Sequence, residues 1–182
     1  MRLGVLASGS GTILEAIVES GLTVSVVVVD RPCRALDVAE RAAVPALLVE
    51  RDTFSPQFDR AAYTRRLVEA LAPYALDLVA MAGFMTVLGG EMFEVYGGRV
   101  LNTHPSLLPS FPGAHAVREA LSFGVKVTGC TVHVATETVD HGPILAQEAV
   151  PVLAGDTEAS LHERIKAVER RLYPNAIKEL YA

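Results

Sequence analysis

Short apolar runs alternate along this chain with stretches whose apolar residues recur every three or four positions. Leu3–Ala7 is unbroken and apolar, and Thr23–Val29 (TVSVVVV) is rich in β-branched residues, so both predict buried strands. Between them Ile13, Ala16 and Ile17 share one helical face, predicting a helix over 13–19. The same reading gives helices over 34–42 and 57–71, strands over 46–49 and 76–82, a short helix over 91–96 and a strand over 99–103. Further on, 114–122 can be helical. The alternating segments 126–135 (KVTGCTVHVA) and 144–152 predict antiparallel, partly exposed strands. The last segment, 157–181, carries an apolar stripe of Leu161, Ile165, Val168 and Leu172 and predicts a helix that Pro174 should kink or interrupt.

The first half therefore reads β-α-β-α-β-α-β. Apolar strands joined by helices imply an α/β, Rossmann-like fold. Its sheet is mostly parallel with helices on both faces, and antiparallel strands extend it in the C-terminal part. One domain over residues 1–182 is expected, with no internal repeat or linker. Ligands of such sheets sit beyond the carboxyl ends of the strands, so the ends of the first, fourth and fifth strands are the places to look.

Composition narrows the classes. Hydrophobic residues make up 51% and charged residues 20%, which supplies a large core and excludes a disordered chain. A net charge of −5 without a basic run argues against nucleic acid as the main partner, while leaving room for one small anion at a local site. Cys33 and Cys130 form no CxxC and predict two reduced thiols in a cytoplasmic protein. The apolar stretch Leu76–Leu88 contains Asp77 and is too short to span a bilayer. The N-terminus enters a strand at once, so neither a secretory leader nor a membrane is expected.

Two breaks in the pattern carry candidate chemistry. ASGSGTILEA (7–16) lies between the first strand and the first helix. Gly9 and Gly11 permit a tight turn, Ser8, Ser10 and Thr12 add hydroxyls, and free N–H groups at a helix start suit a phosphate. No GKS or GKT follows, and Leu14 stands where a dinucleotide fingerprint needs its third glycine. Asp30, ending the second strand, keeps a non-catalytic or redox dinucleotide-binding protein as a remote alternative.

The second break is LNTHPSLLPSFPG (101–113). Residues two apart on a strand share a side, so Asn102 and His104 can face one cavity before Pro105, Pro109 and Pro112 stiffen the loop. An amide there can donate to a developing oxyanion and an imidazole can donate or shuttle a proton. A turn-forming Asn and an exposed His explain the same spacing. VDHGPIL (139–145) reads as a turn. His104, His133, Asp140 and Cys130 could converge on a metal, but no HxH or HExxH spacing is present and no metal is expected.

Taken together, GVLASGSGT, MAGFMTVL, LNTHPSLLPSFPG, GCTVHVATETVDHGPILAQEAVPV and DTEASLHERIKAVERRLYP resemble the folate-dependent formyltransferases over essentially the whole chain. The resemblance implies an enzyme that transfers a formyl group from 10-formyltetrahydrofolate, as co-substrate, to an amine. The branch it is most similar to formylates glycinamide ribonucleotide in purine biosynthesis. The alternatives within that resemblance are a formyltetrahydrofolate deformylase and a formyltransferase for another amine.

The resemblance also implies roles. Asn102, His104 and Asp140 would be catalytic. Gly9, Ser10, Gly11 and Thr12 would hold the substrate phosphate, with Lys166 and Glu169, three apart on one face of the last helix, reaching phosphate and ribose. Folate would lie against Arg60, Met85, Thr86, Val87 and Leu88, with Glu137, Thr138, Val139, Asp140 and Asn102 lining it. His133, His115 and Ser106 match positions near the site. Residues 1–100 would form a mononucleotide-binding half and 101–182 a catalytic and folate-binding half. A homodimer is compatible with the resemblance. Ile13 stands where an asparagine is found near the phosphate, Thr86 where an arginine is frequent and Ser110 where a basic residue is common. Asp30-Arg31-Pro32 departs from the usual Ser-Asn turn.

Overall fold

The computed structural model describes residues 1–180. The chain divides into two compact units, Met1–Leu101 and Asn102–Ala182. The first contains β1 (Leu3–Ala7), α1 (Thr12–Glu19), β2 (Val24–Val29), α2 (Ala35–Arg41), β3 (Ala46–Leu48), α3 (Arg60–Leu71), a 3₁₀ turn over Ala72–Tyr74, β4 (Leu78–Met81) and α4 (Gly90–Tyr96). Strand β5 (Val100–His104) begins here and runs into the second unit. β1 pairs in parallel with β2 and β4, and β2 with β3, giving the order β3-β2-β1-β4. Every residue of β1 is buried, and so are all of β2 except Ser25, which is why these two strands read as unbroken apolar runs. β3 is an edge strand, and Ala46 and Leu48 are exposed.

Helix α3 begins three residues later than the apolar period predicts. Asp59 has extended backbone and its side chain accepts from the N–H of Ala62 at 2.9 Å, so it caps the helix and Gln57 lies outside. The segment before it is organised by Arg51. Its guanidinium lies 4.5 Å above the Phe54 ring and 4.0 Å above that of Phe58.

The second unit carries the rest of β5, α5 (Ala116–Phe123), β6 (Val127–Val134), β7 (Ile144–Pro151) and α6 (Glu158–Glu179), with strand order β5-β6-β7. β6 and β7 run antiparallel. The expectation of a partly exposed β6 fails, since Thr128 to His133 are all buried. Its polar side chains are inside because most of them are hydrogen-bonded there: Thr131 to the proline loop and His133 to Asn102. β7 is the exposed partner. Val117, Cys130, Val150, Leu161 and Ile165 form this unit's apolar cluster, with Val168 and Leu172 packed against it.

α6 starts at a capping box, in which Thr157 accepts from the Ser160 N–H and Ser160 Oγ accepts from the Thr157 N–H. It then runs on through Pro174, so the proline does not interrupt it. Tyr173, Pro174, Ala176 and Ile177 are buried, and that packing offsets the one hydrogen bond a proline removes. The predicted end at Tyr181 lies outside the described residues. Among those residues no helix is long and apolar enough to cross a membrane.

Candidate active site

Three segments of the second unit bring four polar side chains together. β5 delivers Asn102 and His104, β6 delivers His133, and the loop after β6 delivers Asp140. The side chains of His104, His133 and Asp140 are 6%, 1% and 4% exposed, so their contacts are made out of water. Nδ1 of His104 lies 3.3 Å from Oδ2 of Asp140. Its other nitrogen, Nε2, is 2.7 Å from the Phe111 carbonyl oxygen. A carbonyl only accepts, so Nε2 holds a proton, and Nδ1 is the nitrogen left to face the carboxylate. The doubly protonated ring satisfies both contacts.

His133 is arranged the opposite way. Its Nδ1 donates to the carbonyl of Val134 at 3.1 Å, and the Asn102 amide nitrogen lies 3.3 Å from its Nε2. Burial pushes His133 below the ordinary histidine range, against the opposing effects of its bond to Val134 and of Asp140. The neutral ring therefore carries its proton on Nδ1, and its Nε2 lone pair accepts from Asn102. That bond fixes which way the amide points and uses one of its two N–H groups.

Asp140 is placed by backbone geometry. It has φ of 59°, a left-handed conformation that aspartate tolerates better than most residues. The Val134 N–H donates to the Pro143 carbonyl at 2.9 Å, closing the loop. Gly142 lies so close to Val134 that a Cβ there would stand 1.7 Å from the Val134 carbonyl oxygen, so only glycine fits. Oδ2 of Asp140 also accepts from the Gly113 N–H at 2.8 Å. The proline loop thus touches both members of the pair, through Phe111 and through Gly113.

Elsewhere in this unit the Thr103 hydroxyl donates to Oε1 of Glu169 in a short hydrogen bond. Burial pushes the Glu169 carboxyl above its ordinary range, against the Thr103 bond and the positive charges of Lys166 and Arg170. Lys166 makes its ion pair at 2.9 Å with Glu163. Glu137, Thr138 and Val139 are exposed and lead into Asp140. Cys130 does not join the histidines. It sits in the apolar cluster, where burial pushes its thiol up. Ser106 donates to the Ser110 carbonyl, and His115 stands at the N-cap position of α5 without a side-chain capping bond. Among the described residues no group of three His, Cys, Asp or Glu is placed to hold a metal ion.

In the first unit, Gly9, Ser10, Gly11 and Thr12 form the turn into α1. Gly11 is the N-cap with φ of 74°, no side chain caps the helix, and Ser10 Oγ and Thr12 Oγ1 are 3.4 Å apart. The first-turn N–H groups are thus left without a side-chain cap. Ile13 is buried at 6% exposure. Asp30 is fully buried. Arg31 grips both its oxygens at 3.0 Å and Thr86 donates to Oδ2 at 2.7 Å. Burial pushes Asp30 up, but bonds from Arg31, Thr86 and Ser8 outweigh it and hold it below the usual carboxylate range. A carboxylate so occupied does not hold a ribose. Of the remaining residues, Met85 and Val87 are exposed, Leu88 is buried, and Arg60 is exposed at the start of α3. Thr103, the Phe111 carbonyl and the Gly113 N–H were not legible as site groups. Backbone atoms have no sequence signal, and Thr103 meets a residue 66 positions away.

Fold and site define a class: an α/β protein with a half-buried Asn beside a buried His–Asp pair at the end of a strand, and a bare helix start after its first strand. The chain belongs to the formyl transferase family, whose model matches residues 1–177. It is 47% identical over 184 residues to the phosphoribosylglycinamide formyltransferase of Mycobacterium tuberculosis, covering 98% of this chain and 84% of that protein. It is 37% identical to the enzyme of the same name from Bacillus subtilis, covering 98% and 94%. The crystal structure of glycinamide ribonucleotide transformylase 1 from Symbiobacterium toebii superposes with a TM-score of 0.90 at 48% identity, covering 97% of this chain and 85% of that one.

Proposed function

We propose that this protein transfers the formyl group of 10-formyltetrahydrofolate to the amine of glycinamide ribonucleotide, a step of purine biosynthesis. Beside the family membership, the observation that carries this reading is the set of contacts that two buried histidines make with Asn102 and Asp140: Nδ1 of His104 lies 3.3 Å from Asp140 Oδ2, and Nε2 of His133 lies 3.3 Å from the Asn102 amide nitrogen. The amine nitrogen forms a bond to the formyl carbon, and the formyl oxygen becomes an oxyanion. The second N–H of Asn102 donates to that oxygen, in an orientation held by neutral His133. Charged His104 adds a positive field beside it. Both of its nitrogens are engaged, so its part here is electrostatic, and a proton leaves it only if the Asp140 or Phe111 contact is given up. Asp140 faces Nδ1 of His104 at 3.3 Å and draws the proton from the attacking amine, directly or through water. The bond from the formyl carbon to the folate nitrogen then breaks, and that nitrogen takes up a proton.

We assign the acceptor phosphate to Gly9–Thr12 in a mononucleotide-binding first half, where uncapped N–H groups suit an anion. Lys166 and Glu169 reach phosphate and ribose. Folate lies along Arg60, Met85–Leu88 and the backbone of Glu137–Asp140. Two free thiols support a cytoplasmic location. The reading allows a homodimer, which sedimentation velocity would reveal. The deciding experiment mixes the protein with 10-formyltetrahydrofolate, with and without glycinamide ribonucleotide, and follows the folate product. Turnover that requires the ribonucleotide supports this reading, turnover without it supports a deformylase, and none in either case overturns both.

A further inference from the structure

The proline loop meets both His104 and Asp140 through the Phe111 carbonyl and the Gly113 N–H. Its first turn is anchored by one side chain of β6. The Thr131 hydroxyl donates to the Ser106 carbonyl at 2.7 Å and accepts from the Leu108 N–H at 3.0 Å. It also accepts at 3.0 Å from the side-chain amide of Gln147, directly opposite on β7, and that amide donates again to the Leu108 carbonyl at 2.9 Å. The hydroxyl's one proton and both lone pairs are used. Thr131 is fully buried. Two residues earlier on the same face of β6, Leu107 lies over Gly129, where a Cβ would meet its Cδ2 at 2.6 Å. The Ser106 hydroxyl then closes onto the Ser110 carbonyl, next to Phe111.

We infer that Thr131, seconded by Gln147, is a positioning residue for formyl transfer: it holds the proline loop in the register that brings the Phe111 carbonyl to Nε2 of His104 and the Gly113 N–H to Asp140. The inference rests on the roles proposed above for His104 and Asp140. Neither Thr131 nor Gln147 touches those two side chains, so they act through the loop backbone. Replacing the hydroxyl with a methyl leaves a buried N–H and a buried carbonyl unpaired, and the loop must shift to satisfy them. Such a shift loosens the contact that keeps the Nε2 proton in place.

The test compares Thr131→Val, Thr131→Ser and Gln147→Leu in the full chain, with His104→Ala as reference, at a temperature well below every variant's melting point. The readouts are kcat, both KM values and the pH profile of kcat. Thr131→Val should lower kcat about 10- to 100-fold, as a small misplacement of reacting groups does, with both KM values within about twofold of wild type. The limb of the profile that disappears in His104→Ala should move. Thr131→Ser should recover most of the loss, and Gln147→Leu should fall between. A wild-type kcat and profile in Thr131→Val, an equal loss in Thr131→Ser, or a loss confined to KM overturns the inference. Should Thr131→Val not fold, Gln147→Leu decides by the same readouts. Near-normal turnover by His104→Ala overturns the catalytic roles as well, whereas a dead His104→Ala beside an unaffected Thr131→Val sinks this inference alone.

Discussion

Nδ1 of His104 faces Oδ2 of Asp140 at 3.3 Å while its Nε2 is held at 2.7 Å by the Phe111 carbonyl. With Nε2 donating to the carbonyl, the contact between Nδ1 and Oδ2 needs one proton shared between the ring and the carboxyl. Asp140→Asn keeps the shape of the side chain but removes the charge that favours the imidazolium. We expect kcat to fall by roughly 100- to 10,000-fold, the range of a general acid–base contribution, with both KM values changed far less. Steady-state formyl transfer checks this, and a kcat within a few-fold of wild type would remove Asp140 from the mechanism.

The Asn102 amide nitrogen lies 3.3 Å from Nε2 of His133, and in the proposed mechanism its second N–H donates to the oxyanion. Asn102→Ala should therefore lower kcat by about 100- to 1000-fold, the cost of losing one oxyanion donor. His133→Ala, which frees the amide to rotate without removing it, should lose less. Equal losses in the two variants would place His133 in direct contact with the chemistry.

Burial raises the Glu169 carboxyl above its ordinary value of 4.5. A raised carboxyl favours folding while protonated, so its contribution is fully present below pH 4.5 and is lost as pH rises through the folded value. Glu169→Gln keeps an oxygen for the Thr103 hydroxyl without the charge. It should melt above wild type at pH 7 and lose that advantage below pH 4.5, while its KM for glycinamide ribonucleotide rises. A lower melting temperature at pH 7 would show that the charged form is the stabilising one.

Asp156 shifts the other way. Arg164 grips it from two nitrogens at 2.8 and 2.9 Å, and the Leu153 N–H and the Ser160 hydroxyl add to it. These bonds hold its carboxyl well below the usual value of 3.8. Its stabilisation is present above pH 3.8 and fades as pH falls through the folded value. Asp156→Asn should lower the melting temperature at pH 7, with the gap to wild type closing below pH 3.8, and thermal melts at the two pH values test this. Formyl transfer should change little.

Most of the element order was readable because burial imposes it locally. β1 and β2 are covered strands and show as unbroken apolar runs, and Leu161 and Ile165 mark the inner face of α6 by period alone. The amphipathic pattern failed where polar side chains find partners far away. β6 alternates polar and apolar residues, yet Thr131 and His133 are inside, because Ser106, Gln147 and Asn102 satisfy them. Pro174 sits inside a helix because packing outweighs the bond it removes.

The sequence by itself marked Asn102, His104 and Asp140 as candidates through the resemblance of their motifs to a known family, since their spacing alone fits ordinary turns as well. Alternation put Asn102 and His104 on one side of a strand end, and Asp140 lay in a turn closed by Gly142. Only the tertiary structure decided which groups face them. His104 and His133 are the same side chain. One meets a carbonyl and holds a carboxylate at 3.3 Å, while the other meets a carbonyl and an amide with the same carboxylate further off at 3.6 Å, and burial pushes it below the ordinary histidine range. A histidine's charge depends on what faces each nitrogen, and those neighbours come from segments that only folding brings together.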